Sequence, residues 1–244
     1  MRNEDNKLIL GRGLMGDVII DIDKTPHILI GGNTGSGKSV LVQCLLWQAI
    51  QQADVVYVAD FKGGVDFSYV WQEFAYIITE GKKLLVLLNH LADILEERKR
   101  LFKEVDAANI TEYREKSGDY MQRIVFACDE VAELLDKTGA DKSRKELLAQ
   151  IEARLALIAR QGRAFGIHLI LATQRPDANI LPGQIKNNMN IRICGRADTT
   201  LSTIIIGDGR AAEQIPHDAQ GRFIMEDGTV FQAYYFSDDT ISTW

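Results

Sequence analysis

One stretch of the sequence combines glycines, a lysine and hydroxyl side chains in the spacing of a phosphate-binding loop. Residues 32–39 read Gly-Asn-Thr-Gly-Ser-Gly-Lys-Ser and satisfy the pattern G-x-x-x-x-G-K-[ST]. They lie between an apolar run, residues 27–31, and a stretch of helical period that starts at Lys38. Glycines let successive backbone N–H groups point inward, and a helix start adds positive dipole. The pattern therefore predicts a site for the phosphate groups of a nucleotide.

Two residues of this loop are predicted to have additional chemical roles. Lys38 would reach the β and γ phosphates, and the Ser39 hydroxyl would ligate Mg²⁺. A glycine- and serine-rich turn before a helix is the alternative interpretation, but the strand-loop-helix context favours the phosphate site. The residues predicted to bind the nucleotide are Gly32, Asn33, Thr34, Gly35, Ser36, Gly37, Lys38, Ser39 and Val40.

An apolar run that ends in two acids supplies the second element of such a site. Residues 124–130 read Ile-Val-Phe-Ala-Cys-Asp-Glu. Asp129 is predicted to hold the Mg²⁺, and Glu130 to orient or deprotonate the attacking water. Acidic residues often begin the helix after a strand, so the pair alone would not be specific. Beside the phosphate loop, it favours hydrolysis over simple binding.

Two further polar residues flank the apolar run of residues 167–173. Gln174 follows its carboxyl end, where parallel strands converge on a ligand crevice, and could sense the γ-phosphate. Arg163 precedes its amino end, remote from the chain's own nucleotide. It could instead reach the site of an adjacent subunit as an arginine finger, with Arg160 as a rival and a solvated surface side chain as the alternative.

Short apolar runs alternate with longer stretches of helical period, which predicts an α/β fold: a mostly parallel sheet with helices on both faces and peripheral β-hairpins. The ends of the chain favour the hairpins. We expect residues 1–25 to form an N-terminal β extension and residues 26–244 the main domain with a C-terminal hairpin. The predicted strands are 27–31, 54–59, 123–128, 167–173 and 191–194, the helices are 38–52, 84–105 and 145–161, and the hairpins pair 8–10 with 18–22 and 222–225 with 229–236.

The composition of the 244 residues excludes several other classes of protein. With 46% apolar and 25% charged residues the chain is typical of a globular protein, not of a disordered one. No apolar run approaches the roughly 18–20 residues that cross a bilayer, so we expect a cytoplasmic protein. Because the net charge is −6, any nucleic-acid contact must be a local patch.

Several motifs in order resemble the motor domain of FtsK/SpoIIIE-type translocases. They are the stretches at 26–40, 96–100 with 110–113, 129–134, 162–164 and 167–176, and the resemblance spans roughly residues 26–225. It implies a RecA-like ATPase that uses ATP and Mg²⁺, forms a ring that is usually hexameric and threads double-stranded DNA through its centre. The position of Arg163 matches a proposed trans-acting arginine of related ring ATPases.

The resemblance predicts the ATPase motor more specifically than it predicts the polymer that the motor translocates. Chromosome-segregating members of the family also carry membrane helices and a DNA-reading winged-helix domain. We expect neither in this chain, which leaves a membrane-anchored partner or a missing membrane segment as two alternatives. Residues 60–64, Asp-Phe-Lys-Gly-Gly, are similar to type VII secretion ATPases, which act on proteins. A nucleotide-gated module with little turnover is a third reading. If the polymer is DNA, the candidate contacts are Lys137, Lys142, Arg144 and Lys145, in a polar loop that could equally be only solvated, and Lys186.

Overall fold

A computed structural model of the chain describes residues 6–62, 66–175 and 181–242. Within these ranges the strands form one ten-stranded sheet in the order β2-β1-β10-β9-β8-β3-β7-β6-β4-β5. The strands are β1 Lys7–Gly13, β2 Gly16–Asp21, β3 His27–Gly31, β4 Val55–Ala59, β5 Tyr76–Ile78, β6 Ile124–Cys128, β7 Ile167–Thr173, β8 Ile191–Cys194, β9 Arg222–Met225 and β10 Val230–Ala233.

The central strands, from β8 to β5 in the sheet order, are all parallel. Every residue of β3, β6 and β7 is buried, as expected for parallel strands covered on both faces. Because these strands run in the same direction, their carboxyl ends meet at one edge of the sheet. The loops that follow them are therefore brought together there.

Helices cover both faces of this sheet. They are α1 Lys38–Gln51, α2 Gly81–Glu104, α3 Ile110–Ser117, α4 Val131–Leu135, α5 Lys142–Gln161, α6 Gly183–Lys186, α7 Thr199–Ile206, α8 Arg210–Gln214 and α9 Asp238–Ser242, with a 3₁₀ helix at Tyr69–Glu73. Strand β3 shows how the faces divide, because successive side chains point to opposite sides. Ile28 and Ile30 pack in the core that contains α1, whereas Leu29 packs in the core that contains α2 and α5. The predicted α/β architecture is confirmed.

The predicted hairpins at both ends of the chain are present, and both join the main sheet. β1 pairs with β2 and β9 with β10, each pair antiparallel. β1 also pairs with β10, and β9 with β8, so the hairpins extend the central sheet. The Gln48 side chain on α1 bonds both backbone groups of Ile9, at 2.7 and 3.0 Å, and so docks β1 on the helix. The division at residue 25 stays a prediction.

Helix α5 begins at Lys142, three residues before the predicted start. The reason is a side-chain cap: Oδ1 of Asp141 accepts a hydrogen bond from the Arg144 backbone N–H at 2.8 Å. The prediction of a loop at Lys142 and Arg144 is therefore wrong, because both lie in the first turn of α5 together with Lys145, the predicted start of the helix.

A buried arginine joins α2 to the loops at the amino edge of the sheet. Arg98 donates hydrogen bonds to the carbonyl oxygens of Phe165 and Gln122, at 2.5 and 2.7 Å. Burial lowers the pKa of Arg98 to about 10, well above neutral pH, so the guanidinium stays charged. These charge-assisted bonds satisfy carbonyl groups just before β7 and β6.

We predict that Arg98→Met lowers the free energy of unfolding by about 3 kcal/mol, because two backbone carbonyls lose a charged donor. Urea unfolding followed by circular dichroism measures the change. Arg100→Met is the matched control, since Arg100 is exposed on the same helix, and should shift stability by less than about 0.5 kcal/mol. Equal effects of the two substitutions would contradict this role of Arg98.

Candidate nucleotide site

The predicted phosphate loop connects β3 to α1 at the carboxyl edge of the sheet. Gly37, the residue before α1, has a left-handed backbone with φ of +96°. A Cβ atom at this position would lie 3.0 Å from the backbone nitrogen of Gly221, so a side chain is excluded by space as well as by conformation. Because glycine has no side chain to cap the helix, the N–H groups of the first turn remain available to an anion.

Lys38 lies over this loop in a buried position. Its Nζ atom donates to the carbonyl oxygens of Gly32 at 2.6 Å and Asn33 at 3.3 Å. Burial lowers the pKa of Lys38, although the charges of Asp129 and Glu130 oppose that shift. The ammonium group is thus held within the loop, beside the two acids predicted to act with it.

Asp129 follows β6 and faces the start of α1. The Ser39 hydroxyl donates to its carboxylate, at 3.1 Å to Oδ1 and 3.2 Å to Oδ2. A carboxylate next to a hydroxyl is a hard oxygen donor set, which suits Mg²⁺ bound by few protein groups together with phosphates. Among the described residues there is no cluster of three or more His, Cys, Asp or Glu side chains placed to hold a metal alone. The residues present therefore fit a nucleotide-bound Mg²⁺.

Sequence reasoning did not assign a role to Lys62, which also contacts Asp129. Its Nζ atom forms an ion pair with Oδ2 of Asp129 and lies 3.5 Å from Oδ2 of Asp66. Burial lowers the pKa of Lys62, but the hydrogen bond and charge of Asp129 outweigh it, and the net pKa is raised. The sequence shows only that Lys62 follows an apolar run; that this strand, β4, pairs with β6 is visible in the structure alone.

Glu130 is buried and held by the strand next to its own. Its Oε1 atom accepts from the Thr173 hydroxyl at 2.8 Å, and its Oε2 atom accepts from the Gln174 backbone N–H at 3.0 Å. Burial raises the pKa of Glu130, and these two bonds oppose the shift by favouring the charged form. The side-chain oxygen of Gln174 accepts from the Thr34 hydroxyl at 2.8 Å. Gln174 thereby links the phosphate loop to Glu130.

Comparison with known proteins assigns the chain to a family. The FtsK/SpoIIIE family model matches residues 1–158, which include the phosphate loop, Lys62, Asp129 and Glu130. The chain belongs to the FtsK/SpoIIIE family.

Individual members of the family agree with this assignment. The DNA translocase FtsK of Campylobacter jejuni is 32% identical in an alignment that covers 85% of this chain and 22% of that protein. The DNA translocase FtsK of Haemophilus influenzae is 30% identical in an alignment that covers 85% of this chain and 44% of that protein. The chain thus spans less than half the length of these relatives.

Solved structures share the fold. The pCW3 conjugation coupling protein TcpA, determined with ATPγS, is 40% identical with a TM-score of 0.92 over 98% of this chain and 68% of TcpA. The type VII secretion ATPase EccC of Thermomonospora curvata is 25% identical with a TM-score of 0.75, covering 97% of this chain and 29% of EccC. EssC of Geobacillus thermodenitrificans, at 19% identity and a TM-score of 0.79 over 98% of this chain and 47% of EssC, shows the fold alone. The predicted family and fold class are confirmed.

In this FtsK/SpoIIIE chain the predicted Arg163 lies away from the phosphate loop. It is exposed before the amino end of β7, where it lines a cavity of about 590 Å³ together with Asp21 and Lys24. Arg160 is exposed in the last turn of α5, at the same edge of the sheet. Neither arginine reaches the chain's own site, so an action on a neighbouring subunit stays a prediction for both.

The side chains predicted to contact DNA differ in their exposure and in whether an acid pairs with them. Lys137 is half-buried and pairs with Glu152 at 2.6 Å. The three cations in the first turn of α5 are exposed; of these, Lys142 has Glu146 at 4.0 Å. Lys186 is the last residue of α6. Residues 176–180, which include the proline of the 167–176 motif, lie outside the described residues.

An arginine beyond β8 completes the wall of the phosphate loop, and sequence reasoning missed it. The Nη2 atom of Arg196 donates to the Thr34 carbonyl oxygen at 2.7 Å. The Arg196 carbonyl oxygen accepts from the Asn33 N–H, also at 2.7 Å. Its position two residues after an apolar strand was the available signal.

None of the described helices has both the length and the apolar character needed to span a bilayer.

We predict that Lys62→Met lowers the free energy of unfolding by about 2 kcal/mol, because the buried Asp129 carboxylate loses its cation. The loss should shrink when magnesium and ATPγS are added, since a bound cation would replace the ammonium group. Thermal unfolding with and without these ligands measures both effects. Lys82→Met, at an exposed lysine, is the control. A loss that is the same with and without the ligands would contradict the exchange.

Proposed function

We propose that this chain is a motor domain that hydrolyses ATP and uses the energy to move double-stranded DNA through an oligomeric ring. The observation that supports this function best is the arrangement of two acids around the phosphate loop. Asp129 contacts Ser39, and Glu130 is held by Thr173 and the Gln174 backbone. A binding module would need the first acid only, whereas hydrolysis needs a metal anchor and a base.

The side chains divide the chemistry among them. Lys38 and the loop N–H groups bind the β and γ phosphates, and Ser39 and Asp129 hold Mg²⁺, which when bound supplies charge neutralisation at the phosphate oxygens. Glu130 takes a proton from the attacking water, and its raised pKa makes its carboxylate a stronger base than an exposed one. Gln174 senses the γ-phosphate, and the hydrogen bond that it accepts from Thr34 couples it to the phosphate loop.

Double-stranded DNA is the polymer that the basic turn of α5 favours. α5 precedes β7 and runs back across the sheet, so its first turn lies at the carboxyl edge, as does the site. The two acids that precede this turn already have partners within the chain: Asp141 caps the helix, and Asp136 pairs with Arg175 at 3.2 Å. Three exposed cations at a helix start oppose the dipole, a cost that binding to phosphates would offset. The name of the FtsK relatives, DNA translocase, points to the same polymer.

The ring is proposed to be hexameric, with Arg163 acting on the nucleotide of the neighbouring subunit. We place the motor at the cytoplasmic face of a membrane-associated machine, with a membrane-anchored partner or segment.

The second candidate function is a protein-secretion ATPase of the type VII kind. Its support is the similarity to EccC at 25% identity and the Asp-Phe-Lys-Gly-Gly stretch at residues 60–64.

The ATPase rate with and without long duplex DNA tests the proposal. DNA should stimulate hydrolysis at low salt and less at moderate salt, because phosphate contacts release counterions. Replacing Lys142, Arg144 and Lys145 together by Gln should reduce the stimulation while leaving the rate without DNA unchanged. Lys38→Ala, which cannot bind ATP, and Glu130→Gln, which binds ATP without turnover, set the background.

The secretion alternative predicts the opposite pattern in the same assay. It is supported if DNA has no effect at either salt concentration and a peptide from the tail of a secreted protein activates hydrolysis. Normal turnover in Glu130→Gln would show instead that the assignment of the base is wrong.

We predict that subunits carrying Arg163→Ala regain ATPase activity when they are mixed with subunits carrying Lys38→Ala. Some interfaces then combine an intact loop with an intact arginine. The same mixture made with Arg160→Ala tests the rival residue. If native mass spectrometry shows mixed rings and no activity returns with Arg163→Ala, this arginine does not act between subunits.

A further inference from the structure

Arg196 bonds the first half of the phosphate loop through both its backbone and its side chain. Its carbonyl oxygen accepts from the Asn33 N–H, and its Nη2 atom donates to the Thr34 carbonyl oxygen, both at 2.7 Å. Its Nη1 atom donates to the His217 carbonyl oxygen, so a second bond fixes the guanidinium. A Cβ atom at Gly35 would lie 3.3 Å from Nη2. The guanidinium is therefore held against the loop at this glycine.

The backbone that Arg196 contacts is a β-turn. The Ser36 N–H donates to the Asn33 carbonyl oxygen at 3.1 Å, which closes residues 33–36 into the turn. Gly35, its third residue, has φ of +75°, as a type II turn requires. In a type I turn this φ would be about −90°, and the peptide unit between Thr34 and Gly35 would face the other way. Because glycine adopts either value, Gly35 alone does not decide between the two forms.

The bond from Arg196 favours one orientation of this peptide unit. In a planar trans peptide the C=O and the N–H point in opposite directions. The guanidinium holds the Thr34 carbonyl oxygen outward, so the Gly35 N–H points to the inside of the loop. Among the described residues, no backbone or side-chain acceptor takes this N–H. It is available to an anion on the side where the phosphates are proposed to bind.

A second peptide unit of the loop is oriented in the same way, but by a backbone group. The Gly221 N–H donates to the Ser36 carbonyl oxygen at 2.9 Å, which turns the Gly37 N–H inward. A main-chain donor does not depend on a side chain, whereas the bond to the Thr34 carbonyl oxygen does. The loop thus contains its own comparison, because the orientation of Gly35 depends on Arg196 and that of Gly37 does not.

We propose that Arg196 is a positioning residue of the nucleotide site, which holds the turn at residues 33–36 in the type II form and so aims the Gly35 N–H at the nucleotide phosphates. The inference rests on the proposed nucleotide site and adds the residue that orients one of its donors. Arg196 acts from the outer side of the turn, through bonds to carbonyl oxygens. Its loss should weaken phosphate binding although every group that touches the nucleotide remains.

Isothermal titration of the full chain with magnesium and ATPγS tests this role. Arg196→Met should weaken binding roughly tenfold, because one hydrogen bond to a charged acceptor is lost. Arg192→Met is the matched control, since Arg192 lies on the same strand, β8, and also donates to two backbone carbonyl oxygens. They belong to Met189 and Lys186, at 3.3 and 3.0 Å, outside the phosphate loop. This control should bind ATPγS as the wild type does.

Nuclear magnetic resonance separates positioning from a direct contact of the charge with phosphate. A hydrogen bond to a charged acceptor is short and moves the amide proton signal downfield. Isotope labels on the threonine carbonyl carbon and the glycine nitrogen select Gly35 and Gly139, which follow threonines, and labelled serine selects Gly37 and Gly118. With magnesium and saturating ATPγS, Gly35 and Gly37 should both move downfield in the wild type. In Arg196→Met only Gly37 should move.

Two results would overturn the positioning role and leave the nucleotide site standing. One is wild-type affinity in Arg196→Met, and the other is weaker binding with a Gly35 signal that still moves, which would mean that the charge acts on the phosphates directly. If the wild type binds neither ATPγS nor tripolyphosphate, the proposed nucleotide site itself fails. Thermal unfolding checks that the variants are folded, and Arg196→Ala, which also lacks the side-chain donors, replaces Arg196→Met if that variant is not.

Discussion

The site depends on the register of three neighbouring parallel strands. Gly31, the last residue of β3, pairs with Thr173 of β7, and Cys128, the last residue of β6, pairs with Leu171. Strand β6 therefore ends two residues short of β7, and the next residues of the chain, including Glu130, are level with the Thr173 hydroxyl. A slip of one residue would turn every side chain of a strand to the other face and separate these groups.

A second constraint is the balance of charge beside the predicted phosphate loop. Two buried acids and two lysines share a small volume, and each acid has at least one donor: Asp129 has Ser39 and Lys62, and Glu130 has Thr173 and a backbone N–H. Buried carboxylates without such partners would take up protons. The arrangement keeps Asp129 paired with a cation, while the bonds from Thr173 and the backbone favour the charged form of Glu130.

Sequence reasoning predicted the parts of the site that lie within regular patterns. The phosphate loop, the acidic pair and Gln174 each follow an apolar strand, and β3, β7 and β8 begin and end where periodicity indicates. Lys62 and Arg196 were not assigned, because a cation after a strand gives no sign of which loop it contacts; that depends on which strands are neighbours. The helix α3 was missed although Asn109 and Glu112 form a capping pair, since its eight residues carry little hydrophobic periodicity.

The bond between the Ser36 carbonyl and the Gly221 N–H joins the loop to the C-terminal hairpin, which in turn is paired with the N-terminal one. Any displacement of the loop during a catalytic cycle must therefore either break this bond or carry the hairpins with it. Because β9, β10, β1 and β2 are hydrogen-bonded edge to edge, such a displacement would be passed along these four strands toward β2. The strands at the two ends of the chain are thus connected through hydrogen bonds to the loop on which the proposed chemistry depends.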